Sequence, residues 1–310
     1  MERTTIFLFV GMTFVWVVGL FGTQPVFRTG IDVANFDVTV LDENNNLVPS
    51  LKADDFKVYE NDVLQLISYF SEGLRGDEAE IPLHLGLLFD TSISMEQDAW
   101  FAKTAAIKFL NSLTQANDIT LVEFDDEVKV GRYEPVDFPR LVERIRNQET
   151  DGLTSLYDAL GVYLDGAFSQ DGRKVLLLYT DGEDTRSRMK LSEAVDLVKA
   201  SDVTVYAIGF QKHLRASDRM IQRMRLRRIV EETGGVCFFP YSIEELDEIY
   251  DQIEREITGS YSIGYASTDE QTDGTWRKVE IRLNEERLEL NDLKIRARKG
   301  YFAPYREPTH

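Results

Sequence analysis

Asp90, Ser92 and Ser94 close the run LLFDTSISM, residues 87–95, and set one carboxylate and two hydroxyls at alternate positions after an apolar stretch. Three small oxygen-bearing side chains at the end of a buried strand can begin a phosphate cradle, a catalytic nucleophile or a metal site. Two further segments bear on the choice. Asp181 follows the apolar run KVLLLY in YTDGED, and Thr154 stands in TDGLTSLYDAL at the start of a helical pattern. Two carboxylates and three hydroxyls are hard, weakly basic donors without sulfur or imidazole. That set suits Mg2+, Mn2+ or Ca2+ and disfavours zinc or copper. So few formal negative charges leave a bound cation strongly electrophilic and ready for another carboxylate.

The competing chemistries lack their partners. A phosphatase with an aspartate nucleophile wants a second aspartate two residues on as general acid, and this chain has Ser92 there. A serine hydrolase needs a base. His84 lies inside an apolar run, His310 is terminal, and His213 is in a loop with no G-x-S-x-G elbow to accompany it. No G-x-x-x-x-G-K phosphate loop is present. The reading is therefore of a binding protein and not an enzyme.

The elements that must position these residues follow from the apolar pattern. Strands are expected at 83–89, 119–124, 174–179, 203–210 and 236–240, with helices near 96–113, 138–147, 154–168, 190–200, 217–232 and 243–257. Near-continuous apolar strands between helices indicate an α/β fold, a three-layer open, mostly parallel sheet with helices on both faces. EVKVGRYE, 127–134, follows its predecessor after a short acidic turn, so one edge strand is expected to run antiparallel. In such a sheet ligands collect beyond the carboxyl ends of the strands, where the strand order reverses. On the first helix, Trp100, Phe101, Ile107 and Leu110 are expected to pack on the sheet.

DTSIS, the Thr154 of GLTSLYDAL and the Asp181 of YTDG resemble the three-part metal-ion-dependent adhesion site of von Willebrand factor type A domains. VYEND, SYFSE, EETGG, FFPYS, YSIGYAS and IRARKGYFAP look like the bacterial exported "VWFA-related" proteins, so the resemblance covers nearly everything after the N-terminal segment. It implies a Rossmann-like domain over 81–258. It also implies an ion held by Asp90, Ser92 and Ser94 directly or through water, by Thr154 directly in some states, and by Asp181 mainly through water. Mg2+, or Mn2+ or Ca2+, is the implied cofactor. The implied partner is a protein whose Asp or Glu completes an octahedral shell. The usual glycine between the two serines is Ile93 here. The alternatives to metal-dependent protein binding are a metal-dependent hydrolase and a structural envelope protein in which the ion only stabilises loops.

The flanks have β character. Residues 31–76 carry FDVTVLD, FKVYE and VLQLISYF, with polar turns at 42–46 and 61–62, and residues 259–306 carry YSIGYAS, RKVEIRL and LKIRARKGYF. Neither flank is large enough for its own core, so the two are expected to pack on each other across the inserted α/β domain. Residues 1–22, with an uncharged apolar run from Ile6 to Gly22, read as a signal peptide or an N-terminal membrane anchor. The chain is thus expected in the periplasm or outside the cell, and on a membrane only through that segment. No cysteine follows the run, which excludes a lipoprotein anchor.

At 310 residues there is ample material for a core, and the net charge of −19 argues against nucleic acid or anionic membranes as partners. A single cysteine, Cys237, rules out an intramolecular disulfide framework and reads as a buried small hydrophobe. Asp42, Asn44 and Asn46 imitate the start of a calcium loop, but Leu47 and Ala53 stand where glycine and glutamate belong, so a turn is the reading. Arg75-Gly76-Asp77, in the polar linker 73–80, is read as a chance match. Arg215, Arg219, Arg223 and Arg227 are expected on a solvated helix face, paired with Glu231, Glu232 and neighbouring acids.

Overall fold

Short alternating runs at the start of the chain form strands with one face buried. They are β1 (Val33–Leu41), β2 (Phe56–Glu60), β3 (Val63–Gln65) and β4 (Ile67–Glu72). The pattern then changes to β5 (Leu83–Asp90), α1 (Ala99–Ser112), β6 (Asp118–Phe124), β7 (Val128–Tyr133), α2 (Phe138–Arg146) and α3 (Leu156–Ala167). It continues with β8 (Arg173–Thr180), α4 (Leu191–Ala200), β9 (Val203–Gly209), α5 (Ala216–Val230), β10 (Cys237–Phe238) and α6 (Ile243–Gly259). Four strands follow, β11 (Tyr261–Ala266), β12 (Trp276–Leu283), β13 (Lys294–Arg296) and β14 (Gly300–Phe302). This computed structural model describes residues 33–74, 81–112, 115–284 and 293–305, all within one compact unit. The apolar N-terminal run and the Arg75-Gly76-Asp77 tripeptide lie outside the described residues. Among the described residues no helix is long and apolar enough to cross a membrane.

The middle of the chain forms one six-stranded sheet in the order β10-β9-β8-β5-β6-β7, parallel except for the β7 edge. Successive side chains of β5 alternate between two cores. Leu85 and Leu87 pack with Phe109 of α1, Leu141 of α2 and Ile253 of α6, whereas Leu88 packs with Leu160 of α3, Val195 of α4 and Leu226 of α5. With both faces covered, β8 is buried at every position. At Gly86 of β5 an added Cβ would lie 2.3 Å from the Tyr163 ring, so only glycine lets α3 approach this closely.

The flanking strands interleave. One four-stranded sheet has the order β13-β1-β11-β4 and the other β14-β12-β2-β3, so each combines strands from both ends of the chain. Their shared core contains Phe36, Val38, Phe56, Val58, Tyr261, Ile263 and Ile281. Inside it lies a buried ion pair, Arg277 to Glu60 at 3.0 Å, with both side chains only 2% exposed. Glu60 also accepts from the hydroxyls of Tyr265 and Tyr301 at 2.8 Å and of Ser267 at 2.6 Å. Burial alone would raise the Glu60 carboxyl; these donors hold it below its ordinary range.

Several expectations need correction. Residues 93–98 form a 3-10 turn and a further turn before α1, so the helix begins at Ala99 rather than 96. With that start, Trp100 is 70% exposed and does not pack on the sheet, while Phe101, Ile107 and Leu110 do. β10 is two residues long, and Cys237 is only half-buried, although its surroundings still push the thiol up to about 12. In the α5 arginine stripe the ion pair is with a neighbouring acid rather than with Glu232. Arg215 pairs with Asp218, Arg223 lies 4.4 Å over the Phe239 ring, and Glu232 is taken by Lys299. Replacing Arg277 with Met would leave the Glu60 charge buried without its cation. Chemical denaturation should then show a loss of about 3–5 kcal/mol, and a loss within error of zero would mean the hydroxyls alone satisfy Glu60.

Candidate metal centre

Asp90 is the last residue of β5, and Asp181 follows the last residue of β8, its parallel neighbour. From β5 the chain moves outward to β6 and β7, and then returns to place β8 on the other side of β5. The strand order therefore reverses between these two strands, and their C-terminal ends open a crevice there. Both carboxylates are delivered to that crevice. Asp90 is 2% exposed, and Asp181 and Ser92 are fully buried.

Local hydrogen bonds set the loop after β5. Asp90 Oδ1 accepts from the Ser92 amide at 3.0 Å and the Ser92 hydroxyl at 2.5 Å, and the Ser92 and Ser94 hydroxyls are 3.0 Å apart. Asp90 Oδ2 accepts from Thr180 Oγ1 at 2.6 Å, and Thr180 Oγ1 accepts from the Gly182 amide. Asp181 Oδ1 accepts from the Glu183 amide at 2.8 Å, and Gln211 Nε2 donates to the Asp181 carbonyl at 2.7 Å. The loop before α3 bridges the other two. The Ile93 amide donates to the Gly152 carbonyl at 3.1 Å, and the Thr154 carbonyl accepts from the Thr185 and Arg186 amides. The five expected residues thus sit on three interlocked loops at one sheet edge, with Ser94 near enough to Asp181 to pull its carboxyl down. For Thr154 the bonded atoms are those of the backbone. Ile93 occupies the 3-10 turn Ile93–Met95 and is absent from the positive-φ residues, so this position does not require glycine. Gly182, at φ +90°, and Gly152, at φ +70°, do hold left-handed backbone in two of the loops.

Three groups were not anticipated. Thr180 bridges Asp90 to the β8 loop. Asp98, 5% exposed, lies 2.7 Å from His213 Nε2 and close enough to Asp181 for each charge to disturb the other. His84, by contrast, binds Asp118 at 2.7 Å at the opposite end of the sheet, far from this edge in the strand direction.

The electrostatics are those of a site short of positive charge. Burial, with the neighbouring Asp181 charge adding to it, raises the Asp90 carboxyl from 3.8 to about 7, outweighing the Ser92 and Thr180 hydrogen bonds. Burial raises Asp181 as well, against the Glu183 amide, Ser94 and His213. Burial likewise raises Asp98, with His213 opposing and Asp181 adding to the shift. Asp181 Oδ2 is buried without a hydrogen-bond partner. An orphaned carboxylate oxygen among hydroxyls fits a hard divalent cation. Among the described residues no cluster of three or more His, Cys, Asp or Glu side chains offers a metal site.

A sequence model of the von Willebrand factor type A domain matches residues 84–252. No curated protein matches the chain. Among solved structures the chain is similar to BatB from Bacteroides thetaiotaomicron, at 15% identity over 56% of this chain and 98% of that one, with a TM-score of 0.45. It is similar to an aerotolerance-related membrane protein from Bacteroides fragilis, at 16% identity over 56% and 98%, with a TM-score of 0.46. A von Willebrand factor type A protein from Catenulispora acidiphila aligns at 13% identity over 88% of this chain and 74% of that one, with a TM-score of 0.47.

A folded carboxyl that binds its proton more tightly than the unfolded chain does contributes stability fully present below the unfolded pKa, and loses it as pH rises through the folded pKa. Asp90 therefore stabilises the metal-free fold near its ordinary 3.8 and ceases to do so as pH rises towards about 7. Urea midpoints in chelator should fall over that interval, and Asp90→Asn should flatten the fall. The slope should not vanish in the variant, since Asp181 and Asp98 are shifted in the same direction. An unchanged slope would show that Asp90 is not the group being titrated.

Proposed function

The chain belongs to the von Willebrand factor type A domain family through residues 84–252, and from that premise we propose that it is a divalent-metal-dependent protein-binding module. Asp90, Ser92, Ser94, Thr154 and Asp181 would hold Mg2+, with Mn2+ or Ca2+ as substitutes. When bound, the ion supplies an electrophilic centre whose remaining ligand is an Asp or Glu of a partner protein. The observation that carries this reading is the pair of buried carboxylates at one strand crossover, with Asp181 Oδ2 left without a partner.

The protein's own residues do the positioning. Ser92 and Thr180 hold the two oxygens of Asp90 in place, and Gln211 fixes the backbone of Asp181. Ile93 and Leu153, 51% and 47% exposed, stand on the two loops joined by the Ile93–Gly152 hydrogen bond and form an apolar rim. A partner carboxylate flanked by an apolar side chain suits that rim. A chain with net charge −19 repels acidic partners over most of its surface, which favours contact through the cation. The apolar run 6–22 supports display outside the cytoplasm, either released or anchored.

One observation favours a second reading. His213 Nε2 lies 2.7 Å from Asp98 Oδ2 beside the candidate site, a pairing of imidazole and carboxylate that a metal-assisted hydrolase could use as a base, although the two atoms do not make a hydrogen bond. His213→Gln separates the two: a binding module keeps its metal and partner, and a hydrolase loses its turnover.

Calorimetric titration with Mg2+, Mn2+ and Ca2+ should give one saturable site in the wild type. Asp90→Ala should abolish it while the far-UV circular dichroism is unchanged, because Asp90 lies at the sheet edge. Wild-type affinity in the variant would place the site elsewhere.

A further inference from the structure

At the other end of the parallel strands, a cleft of about 360 Å3 separates the start of β8 and β9 from the β1–β11 sheet. Its volume falls within the range of small-molecule sites, which favour junctions between substructures. Val33, Phe36, Tyr69, Ile81 and Val203 give it apolar walls. Arg298 is the polar group that stands out. Its guanidinium lies 4.4 Å over the Phe36 ring, and two of its nitrogens donate only to backbone carbonyls, those of Ser201 at 3.2 Å and Asn35 at 2.6 Å. Its Nε is buried with no hydrogen-bond partner.

The other charges of the wall are already paired. Asp37 is engaged by Arg173 at 3.2 Å, and Asp202 by Lys174 at 2.6 Å. Arg173 spends its remaining nitrogens on the Ile257 and Ser260 carbonyls and the Ser262 hydroxyl. Arg298, half-buried in the cleft wall, is left with its Nε buried and unpaired and with no carboxylate of the described residues in an ion pair with it. Burial accordingly pulls its pKa below the ordinary arginine value, while the more distant Asp37 and Asp202 raise it. A guanidinium in that setting is stabilised by an anion that can meet its planar edge. Asp37 and Asp202 in the same wall disfavour a multiply charged anion.

We propose that this cleft binds a small organic monocarboxylate, its carboxylate on Arg298 and its apolar body along Val33, Tyr69, Ile81 and Val203. The site is independent of the metal edge and does not rest on the metal-binding reading. Octanoate is the probe, titrated calorimetrically into the full-length protein, with octan-1-ol and citrate as controls. Octanoate should bind at one site, and each control should bind at least about 10-fold more weakly, the scale of one lost charge-assisted hydrogen bond. Arg298→Met should weaken octanoate by a similar factor. Val33→Trp, which fills the mouth from a 42% exposed position without touching Arg298, should do the same with an unchanged urea midpoint. Failure of octanoate to bind the wild type would overturn the proposal, as would equal affinity for octan-1-ol. Wild-type affinity in a folded Val33→Trp protein would overturn it too.

Discussion

Asp90 and Asp181 are two carboxylates held out of water and close enough for the charge of one to raise the other, an arrangement that costs free energy. Much of the fold around them can be understood as its containment. Burial and the neighbouring Asp181 charge together raise the Asp90 carboxyl to about 7. Such a site persists only if the backbone around it cannot relax, because a flexible loop would turn one carboxylate out to solvent. Here it cannot. The Ser92 hydroxyl from Asp90's own loop and the Thr180 hydroxyl from β8 clamp Asp90, the Gly152 carbonyl ties down the Ser92 loop, and Thr154 is fastened by two amides of the loop after Asp181. The two apolar cores on either side of the sheet fix the ends of β5 and β8, from which both aspartates project.

The parts of this arrangement legible in the sequence are those written in local pattern. A strand buried on both faces must be apolar nearly throughout, so LHLGLLF and KVLLLY announced themselves, and the oxygen-bearing residues just past their ends pointed to the crevice. Thr180 escaped notice because a threonine at the end of a strand looks like an ordinary β-former. The Asp98–His213 contact escaped because it joins the turn before α1 to the loop after β9, and only the folded sheet brings these together. Trp100 was misplaced for a different reason. Helical periodicity locates a face only when the first residue of the helix is known, and the 3-10 turn at Ile93–Met95 delays α1. The β flanks were visible as strands, but their interleaving into two sheets was not. Pairing between short strands from opposite ends of a chain is decided by side-chain packing, not by any local signal.

That interleaving changes what the flanks are for. Each four-stranded sheet needs strands from before and after the α/β domain, so neither sheet exists until the domain between them has brought the chain ends together. The Glu60–Arg277 pair strengthens the dependence. It joins β2 to β12, and its surrounding hydroxyls come from β11, β14 and the residue after β11. A buried ion pair adds little net stability over apolar packing of the same volume, but it penalises wrong pairings heavily, because any other register would leave one charge alone. In a core built from three- to nine-residue strands, that selectivity has an obvious use.

β8 connects the two halves mechanically. At its first residue, the buried Arg173 guanidinium binds Asp37 of β1, Ser262 of β11 and the Ile257 and Ser260 carbonyls at the end of α6. At its last residue, Thr180 holds Asp90 and leads directly into Asp181. The strand's eight residues, its two ends included, are all buried and span roughly 26 Å. A segment so completely packed transmits displacement poorly by bending and well by translation. The position of Asp181 is therefore referred, through a single rigid strand, to the junction of α6 with the flanking sheets. Any partner that shifted the end of α6 would have to break the Arg173 contacts or move the strand that leads into Asp181, one of the five candidate metal residues. The flanking sheets are thus part of what sets the geometry of that edge from the opposite end of β8.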